Sequence, residues 1–244
     1  DVAVTFTSEA EMNIPGYREV LDLSLTLLQD MFPPSPSVRV LEIGCANGNT
    51  LKTLLSAGYT NLTALEASVF MIAECAAQVP SVPPESLIMC STIPPSLPPF
   101  DAVFANWTLH FIPDLSDRKG YIMDIYAKLR EGGLVVLSEK TEQSAAVRSK
   151  YHAWKRSQGM TSQQVTTKEE ALKGVLVTAK CQWYWDTLTR AGFIDISVQY
   201  AQLGFVTWTA VKGRSDASAD AVKGCNNASA DACAAPVGGL TLME

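Results

Sequence analysis

The sequence predicts an α/β fold, in which a mostly parallel, seven-stranded sheet carries helices on both faces and ends in an antiparallel hairpin. Short apolar runs alternate with helical patterns between residues 38 and 191, a glycine-rich turn follows the first of these runs, and two apolar runs flank Gly204. Alternating strands and helices form parallel sheets with right-handed crossovers. A glycine between two adjacent strands permits a tight antiparallel turn, which predicts the hairpin.

The first half of the chain contains four of the expected strands. A helix is expected before them, because the leucines and valines of residues 17–31 lie largely on one helical face and Pro33 and Pro34 then end the pattern. Gly58 suits a helix end and Ser68 a helix N-cap. Strands are expected at 38–43, 61–65, 86–90 and 101–105, and further helices at 50–57 and 71–78.

The second half continues the alternation and then changes character. A helix is expected at 115–129, a strand at 134–137, polar helical structure over 141–178, a helix at 181–191 and strands at 194–200 and 205–211. Residues 213–244 are rich in Ala, Gly and Ser and bury too little apolar surface to offset the cost of ordering. We therefore predict one domain over residues 1–212, with a helical lid at 1–36, followed by a flexible tail.

Composition narrows the classes of partner. The 244 residues carry a net charge of −6, whereas nucleic-acid-binding proteins present a basic face. The basic positions of one predicted helix are interpreted as a solvated face: Arg148, Lys150, Lys155 and Arg156. A small-molecule substrate is therefore favoured over a nucleic acid, and the sequence leaves a homodimer open.

Targeting and cysteine patterns predict a cytoplasmic protein. No apolar run is long enough to cross a bilayer, and the first residues lack the basic and apolar regions of a secretion signal. The six cysteines form no C-x-x-C pair or Cys/His cluster, so no metal site is expected and all six are predicted to be reduced thiols.

A glycine-rich turn after the first strand carries the main functional signal. It reads Glu42-Ile43-Gly44-Cys45-Ala46-Asn47-Gly48, and Glu66 ends the second strand about twenty residues later. Glycine lets a ligand approach the main chain, and a carboxylate in that position can accept both ribose hydroxyls. The G-x-G-x-x-G fingerprint of dinucleotide sites is absent, which favours a nucleoside without phosphates. A ligand-free turn and a solvated acid are the alternatives.

Two further segments resemble motifs of the class I S-adenosylmethionine (SAM)-dependent methyltransferases. They are Asp101-Ala102-Val103-Phe104-Ala105-Asn106-Trp107, a strand that ends in a polar residue, and Leu129-Arg130-Glu131-Gly132-Gly133, the turn before the next strand. The resemblance implies a Rossmann-like class I fold with SAM as cofactor.

A closer resemblance is to the bacterial carboxy-S-adenosylmethionine synthases, which convert SAM to its carboxylated sulfonium with prephenate. The chain is similar to them from about Ile14 to Val211, with Ile14-Pro15-Gly16-Tyr17, the segment 106–111 and the segment 133–140 as its main motifs. Tyr17 would close over the methionine end of SAM, and is a catalytic candidate for that reason. The resemblance implies cofactor contacts at Tyr17, Gly44, Cys45, Ala46, Glu66, Ala67, Ser91, Thr92 and Asn106.

One departure from that family bears on the reaction. The family holds the added carboxylate with an arginine, and the corresponding position is interpreted as Thr187, with Arg190 one helical turn further on as a substitute. Tyr184 and Trp107 are candidates for an aromatic acceptor wall, whereas core packing is the alternative for such aromatics. His110 is the candidate base and acceptor contact, with a structural role as its alternative.

We therefore predict methyl transfer from SAM to a small-molecule acceptor. Two alternatives stay open: carboxy-SAM synthesis from SAM and prephenate, and a SAM-binding domain without catalysis within a larger enzyme. Space at Thr187 would decide between the first two, and an acceptor pocket plugged by aromatic side chains would favour the third.

Overall fold

A computed structural model describes residues 2–214, and the side chains from residue 5 onwards. Apart from its first two residues, the tail expected at 213–244 lies outside the described residues. The strands are β1 Arg39–Ile43, β2 Asn61–Glu66, β3 Leu87–Met89, β4 Phe100–Asn106, β5 Leu129–Lys140, β6 Phe193–Gln202 and β7 Phe205–Lys212. The helices are α1 Val2–Asn13, α2 Tyr17–Met31, α3 Asn49–Ser56, α4 Val69–Gln78, α5 Leu115–Lys128, α6 Ala145–Ser157, α7 Ser162–Ala171 and α8 Cys181–Ala191.

The seven strands form one sheet in the order β3-β2-β1-β4-β5-β7-β6. Strands β1 to β5 pair in parallel, whereas β7 pairs antiparallel with both β5 and β6. The predicted fold class is therefore confirmed, including the closing hairpin. The strand order reverses between β1 and β4, which places a ligand-binding crevice at their carboxyl ends.

The core lies on both faces of this sheet. One buried cluster packs α5 and α8 against the central strands and includes Leu188 and Trp208, and the other packs α2, α3 and α4 on the opposite face and includes Leu28, Leu54 and Cys75. Six of the seven residues of β4 are buried, as expected for a central parallel strand covered on both faces. Burial of each large apolar side chain stabilises the fold by about 1.5–3 kcal/mol.

The strand β5 begins five residues earlier than the sequence predicted. Leu129 already pairs with Phe100, and the register then shifts before Leu134 pairs with Ala102. Gly132 has a φ of +74°, and a Cβ on Gly133 would lie 2.8 Å from the carbonyl oxygen of Arg130. The two glycines therefore form a bulge inside the strand rather than a turn in front of it.

Membrane and cysteine expectations have different outcomes. No helix among residues 2–214 is long and apolar enough to cross a membrane.

Cys45, Cys75 and Cys90 are free thiols. Cys181 is disulfide-bonded, so the expectation of a reduced thiol is wrong at that position. Spacing along the chain carries no information on which cysteines meet in space.

Candidate active site

A large cavity of about 1220 Å³ opens at the carboxyl ends of β1, β2 and β4. Helices α1 and α2 form one wall, and α6 and α7 form another. Single ligand sites commonly span about 300–1,000 Å³, so the cavity has room for a nucleoside cofactor and a second small molecule. Ten of the sequence-predicted site residues line it: Tyr17, Gly44, Cys45, Ala46, Glu66, Ala67, Ser91, Asn106, Trp107 and His110.

The glycine-rich turn after β1 is held in place by the backbone of β2. The amides of Gly44 and Cys45 both donate to the carbonyl oxygen of Leu65, over 2.8 and 3.1 Å. Gly44 has a φ of +71°, and a Cβ there would lie 2.3 Å from the hydroxyl oxygen of Thr108. Only glycine therefore fits this position, and its main chain is open to the cavity.

Glu66 ends β2 with its carboxylate fixed by two backbone amides. Its Oε2 accepts from the amide of Ala46 over 3.0 Å, and its Oε1 accepts from the amide of Ser68 over 2.8 Å. Each carboxylate oxygen has a further lone pair for a ligand hydroxyl. Ser68 also caps α4, because its Oγ accepts from the amide of Met71. The turn and the acid therefore form one rigid unit on the cavity wall.

Tyr17 and Trp107 line the cavity together. Their ring centroids lie 5.1 Å apart, and the Tyr17 hydroxyl accepts from Asn49 Nδ2 over 2.9 Å. Burial raises the pKa of Tyr17 to about 12, so the phenol stays protonated at neutral pH and cannot serve as a base. Tyr17 can therefore contact and donate to a ligand, which leaves proton abstraction to another group.

Among the described residues that line the cavity, three carry a buried polar atom without a hydrogen-bond partner. Asn13 Oδ1 lies on α1, and the other two atoms form a pair on the strands: Asn106 Nδ2, a donor, and Glu42 Oε2, an acceptor. Asn106 Oδ1 is already occupied, because it accepts from Ser138 Oγ over 2.7 Å. Burial raises the pKa of the Glu42 carboxyl well above its usual range, although Thr50 donates to it. Buried polar groups are nearly always satisfied, so this pair fits a ligand that offers both an acceptor and a donor. The sequence analysis placed Glu42 in the turn motif but gave it no role.

Cys45 is packed rather than exposed as a nucleophile. Its Sγ lies 3.8 Å from Cys75 Sγ, and both side chains are buried. The contact with Cys75, followed by burial, raises the pKa of the Cys45 thiol far above its usual range. The thiolate is the reactive form, so this contact supports the interpretation of Cys45 as a small packed residue.

His110 is held at the cavity by a buried carboxylate that the sequence analysis did not single out. Its Nδ1 lies 2.6 Å from Oε2 of Glu139, which is completely buried in β5. The amides of Leu109 and His110 donate to the same carboxylate over 2.8 and 2.9 Å. Because Nδ1 faces Glu139, Nε2 is the ring nitrogen left for a ligand. A carboxylate behind an imidazole fixes its tautomer and orientation, as in hydrolytic triads.

Four predicted contacts lie away from the cavity lining. Tyr184 is completely buried, Thr187 is buried with its Oγ1 donating to the carbonyl oxygen of Trp183 over 2.6 Å, and Arg190 is exposed. All three lie on α8, which packs against α5 and β6. Thr92 is exposed beside the lining residue Ser91. The structure therefore does not bring Tyr184, Thr187, Arg190 or Thr92 into the cavity lining with the other predicted site residues.

The far end of the cavity is cationic. Lys155 is only 5% exposed and lines the cavity with Arg148, Lys140 and Tyr151. The interpretation of Lys155 as part of a solvated helix face is therefore wrong. Among residues 2–214, no group of His, Cys, Asp or Glu side chains is arranged to hold a metal ion.

Comparison with known proteins agrees with this geometry. A family model described as a methyltransferase domain matches residues 41–135. The carboxy-S-adenosyl-L-methionine synthase of Alteromonas mediterranea is 27% identical, over 86% of this chain and 90% of its own length. That of Helicobacter hepaticus is 28% identical, over 86% and 92%.

Two solved structures share the fold. Magnesium protoporphyrin IX methyltransferase from Synechocystis PCC 6803, with bound SAM, has a TM-score of 0.57 at 13% identity, covering 85% of this chain and 91% of that one. The N-methyltransferase NodS from Bradyrhizobium japonicum, with S-adenosylhomocysteine (SAH), has a TM-score of 0.57 at 17% identity, covering 84% and 91%. Both are methyltransferases, so the fold is that of the class I methyltransferases.

Proposed function

We propose that this chain, which carries a methyltransferase domain on a class I methyltransferase fold, binds SAM and transfers its methyl group to a small-molecule acceptor. The observation that carries the proposal is the juxtaposition, in one cavity, of the glycine turn, the fixed Glu66 carboxylate and the His110–Glu139 pair. Cytoplasmic location and homodimer formation stay predictions.

The cavity wall fits SAM in its chemistry. Glu66 offers acceptors to the two ribose hydroxyls beside the open main chain of Gly44. The unpaired Asn106 Nδ2 and Glu42 Oε2 offer a donor and an acceptor, which match the carboxylate and ammonium of a methionine moiety. Tyr17 and Trp107 present aromatic rings, which stabilise a neighbouring sulfonium through cation–π attraction.

The chain contributes positioning and one proton transfer. SAM supplies an electrophilic methyl group on a sulfonium that leaves as the neutral thioether. The walls hold the acceptor atom in line with that methyl group and exclude water, which accounts for most of the acceleration in such a displacement. His110 Nε2 accepts the proton that the acceptor loses as its bond to carbon forms, and the Glu139 carboxylate stabilises the resulting imidazolium.

An open acceptor site favours catalysis over a purely binding role. The aromatic residues of α8 pack into the core or outside the cavity, and Tyr184 is fully buried there. Tyr17 and Trp107 line the cavity without filling its 1220 Å³. The plug expected of an inactive domain is therefore missing from the described residues.

Glu66→Ala is expected to weaken SAH binding by about 1.5–3 kcal/mol, or roughly ten- to a hundredfold, because hydrogen bonds to a charged group are lost. Isothermal titration calorimetry measures this directly. Glu85→Ala is the matched control, because Glu85 is exposed and does not line the cavity. Equal SAH affinity in the Glu66 variant and the control would remove the ribose assignment.

Carboxy-SAM synthesis is the second candidate, because relatives of that name match 86% of the chain. Thr187 no longer bears on it, since that residue does not line the cavity. The arginine among the described lining residues, Arg148, already pairs with Glu169 over 2.5 Å. A buried carboxylate next to the sulfonium would therefore lack a free arginine fork, which disfavours this reaction.

Incubation with SAM and prephenate is therefore expected to give no carboxy-SAM by mass spectrometry. The purified chain, tested beside an established carboxy-SAM synthase as positive control, separates the two reactions. Carboxy-SAM formed at a rate comparable with that control would overturn the methyl-transfer proposal.

A further inference from the structure

Two lysines at the far end of the cavity share one aromatic ring. The ammonium of Lys140 lies 4.7 Å from the ring centroid of Tyr151, and that of Lys155 lies 5.1 Å from the same centroid. Lys140 is also 5.8 Å from the ring of Phe205. Within the described residues, neither ammonium makes a hydrogen bond or an ion pair. Two buried or half-buried cations without an anion are unusual, because unpaired charge is costly away from water.

The neighbouring carboxylates are already committed to other cations. Glu169 pairs with Arg148 and lies 3.5 Å from His152 Nε2, and Glu9 pairs with Lys168 across α1 and α7. Two further lining charges on or just after α7, Glu170 and Lys173, are both exposed, so solvent screens them. The carboxylates of Glu42 and Glu66 lie on the strands β1 and β2. This end of the cavity therefore keeps an excess positive charge on the two lysines.

The electrostatics of the lysines reflect this excess. Burial, then the charges of Lys140 and Lys168, lowers the pKa of Lys155 to about 8, although Glu169 acts in the opposite direction. Burial also lowers the pKa of Lys140, against the effect of Glu169 and with that of Arg148. A bound anion close to these ammonium groups would oppose both effects.

We propose that Lys140 and Lys155 form an anion subsite that binds the carboxylate or phosphate of a small, partly apolar methyl acceptor. The subsite lies in the same cavity as His110, and Tyr151, Phe205 and Leu176 supply apolar surface beside it. Ammonium groups are point charges that accept either anion. The inference rests on the proposed function, because it names the chemical class of the acceptor that would bind at the far end of the same cavity.

The test measures binding of three probes to the SAH-loaded chain by calorimetry. Phenylacetate and phenyl phosphate carry the two candidate anions, and 2-phenylethanol is their neutral analogue. At least one anionic probe is expected to bind about tenfold or more tightly than the neutral one. The better anion identifies which group the acceptor carries.

Charge-removing variants then locate the subsite. Lys140→Met and Lys155→Met are each expected to weaken the anionic probe roughly tenfold and to leave 2-phenylethanol unchanged. Lys150→Met is the matched control, because Lys150 is exposed on the same helix as Lys155 and does not line the cavity. Unchanged SAH affinity in all three variants shows that each is folded.

The outcomes separate the inference from the function on which it rests. A wild-type chain that fails to bind SAH overturns the proposed function. A chain that binds SAH but binds all three probes with equal affinity overturns the subsite alone. The same holds if a variant that lacks both lysines binds the anionic probes as tightly as the wild type does. A pH series is a second measurement, because protonated Lys155 is required: affinity for the anion should fall as the pH rises through about 8.

Discussion

His110→Asn is expected to lower kcat by about 10²–10⁴-fold, the range for loss of a general base, while SAH affinity stays unchanged. The reason is the position of His110 on the cavity wall with its Nδ1 held by Glu139 over 2.6 Å. Asparagine offers an amide in the same space but cannot accept a proton at neutral pH. The assay follows transfer of a labelled methyl group from SAM to an anionic acceptor identified by the binding tests. Varying the acceptor concentration gives kcat and KM separately.

Glu139→Gln distinguishes positioning from simple folding. Glutamine keeps the size of the side chain but cannot stabilise an imidazolium by charge, so kcat should fall with little change in KM. A merely structural role would instead lower the melting temperature and leave kcat per folded molecule intact. An His110→Asn variant with wild-type kcat would show that the acceptor needs no base, or that another group supplies it.

Helix and strand positions followed from the sequence because local patterns determine them. The helices α2 and α8 have the predicted bounds, and Ser68 caps α4 as expected. The turn at Gly44 and the acid at Glu66 were also predictable, because strand ends in a parallel sheet meet at one edge. The two residues lie on the same cavity wall.

The sequence did not predict whether the apolar face of a helix contacts the core or the cavity. Periodicity showed that α8 has an apolar face, but both a core and a substrate pocket accept aromatic residues on such a face. Tyr184 therefore reached the core instead of an acceptor wall. The prediction for Lys155 was wrong in the opposite direction. Its charge predicted a solvent-exposed position, whereas its long apolar stem is buried and its ammonium lies near the ring of Tyr151.

Contacts between polar side chains that are far apart in the sequence were also not predictable. Glu139 lies two residues after the apolar run 134–137 of β5, and its partner His110 is 29 residues away in a short 3-10 turn at Leu109–Phe111. The sequence around an acid in a strand gives no sign of which group it contacts. The one available signal is the segment 133–140, which carries part of the family resemblance and contains Glu139, although the resemblance assigns that residue no role.

Arg118→Leu is expected to destabilise the fold by about 3–5 kcal/mol, the cost of removing one member of a buried polar network. Arg118 is completely buried on α5. Its guanidinium donates to the carbonyl oxygens of Ile112 and Val177 over 2.6 and 2.7 Å, and to the hydroxyl of Tyr184 over 2.9 Å. It thus joins the segment after His110 to the segment before α8, and leucine would leave these acceptors without a donor.

Chemical unfolding monitored by circular dichroism measures this loss, and a drop of roughly 10 °C in melting temperature should accompany it. Lys119→Leu is the matched control, because Lys119 is the next residue of α5 and is exposed. Arg118→Lys should fall between the two, since one ammonium can satisfy only part of the carbonyl set. An Arg118→Leu variant as stable as the control would show that water or a shifted side chain satisfies these carbonyls. The network would then not be what holds the segment after His110 against the segment before α8.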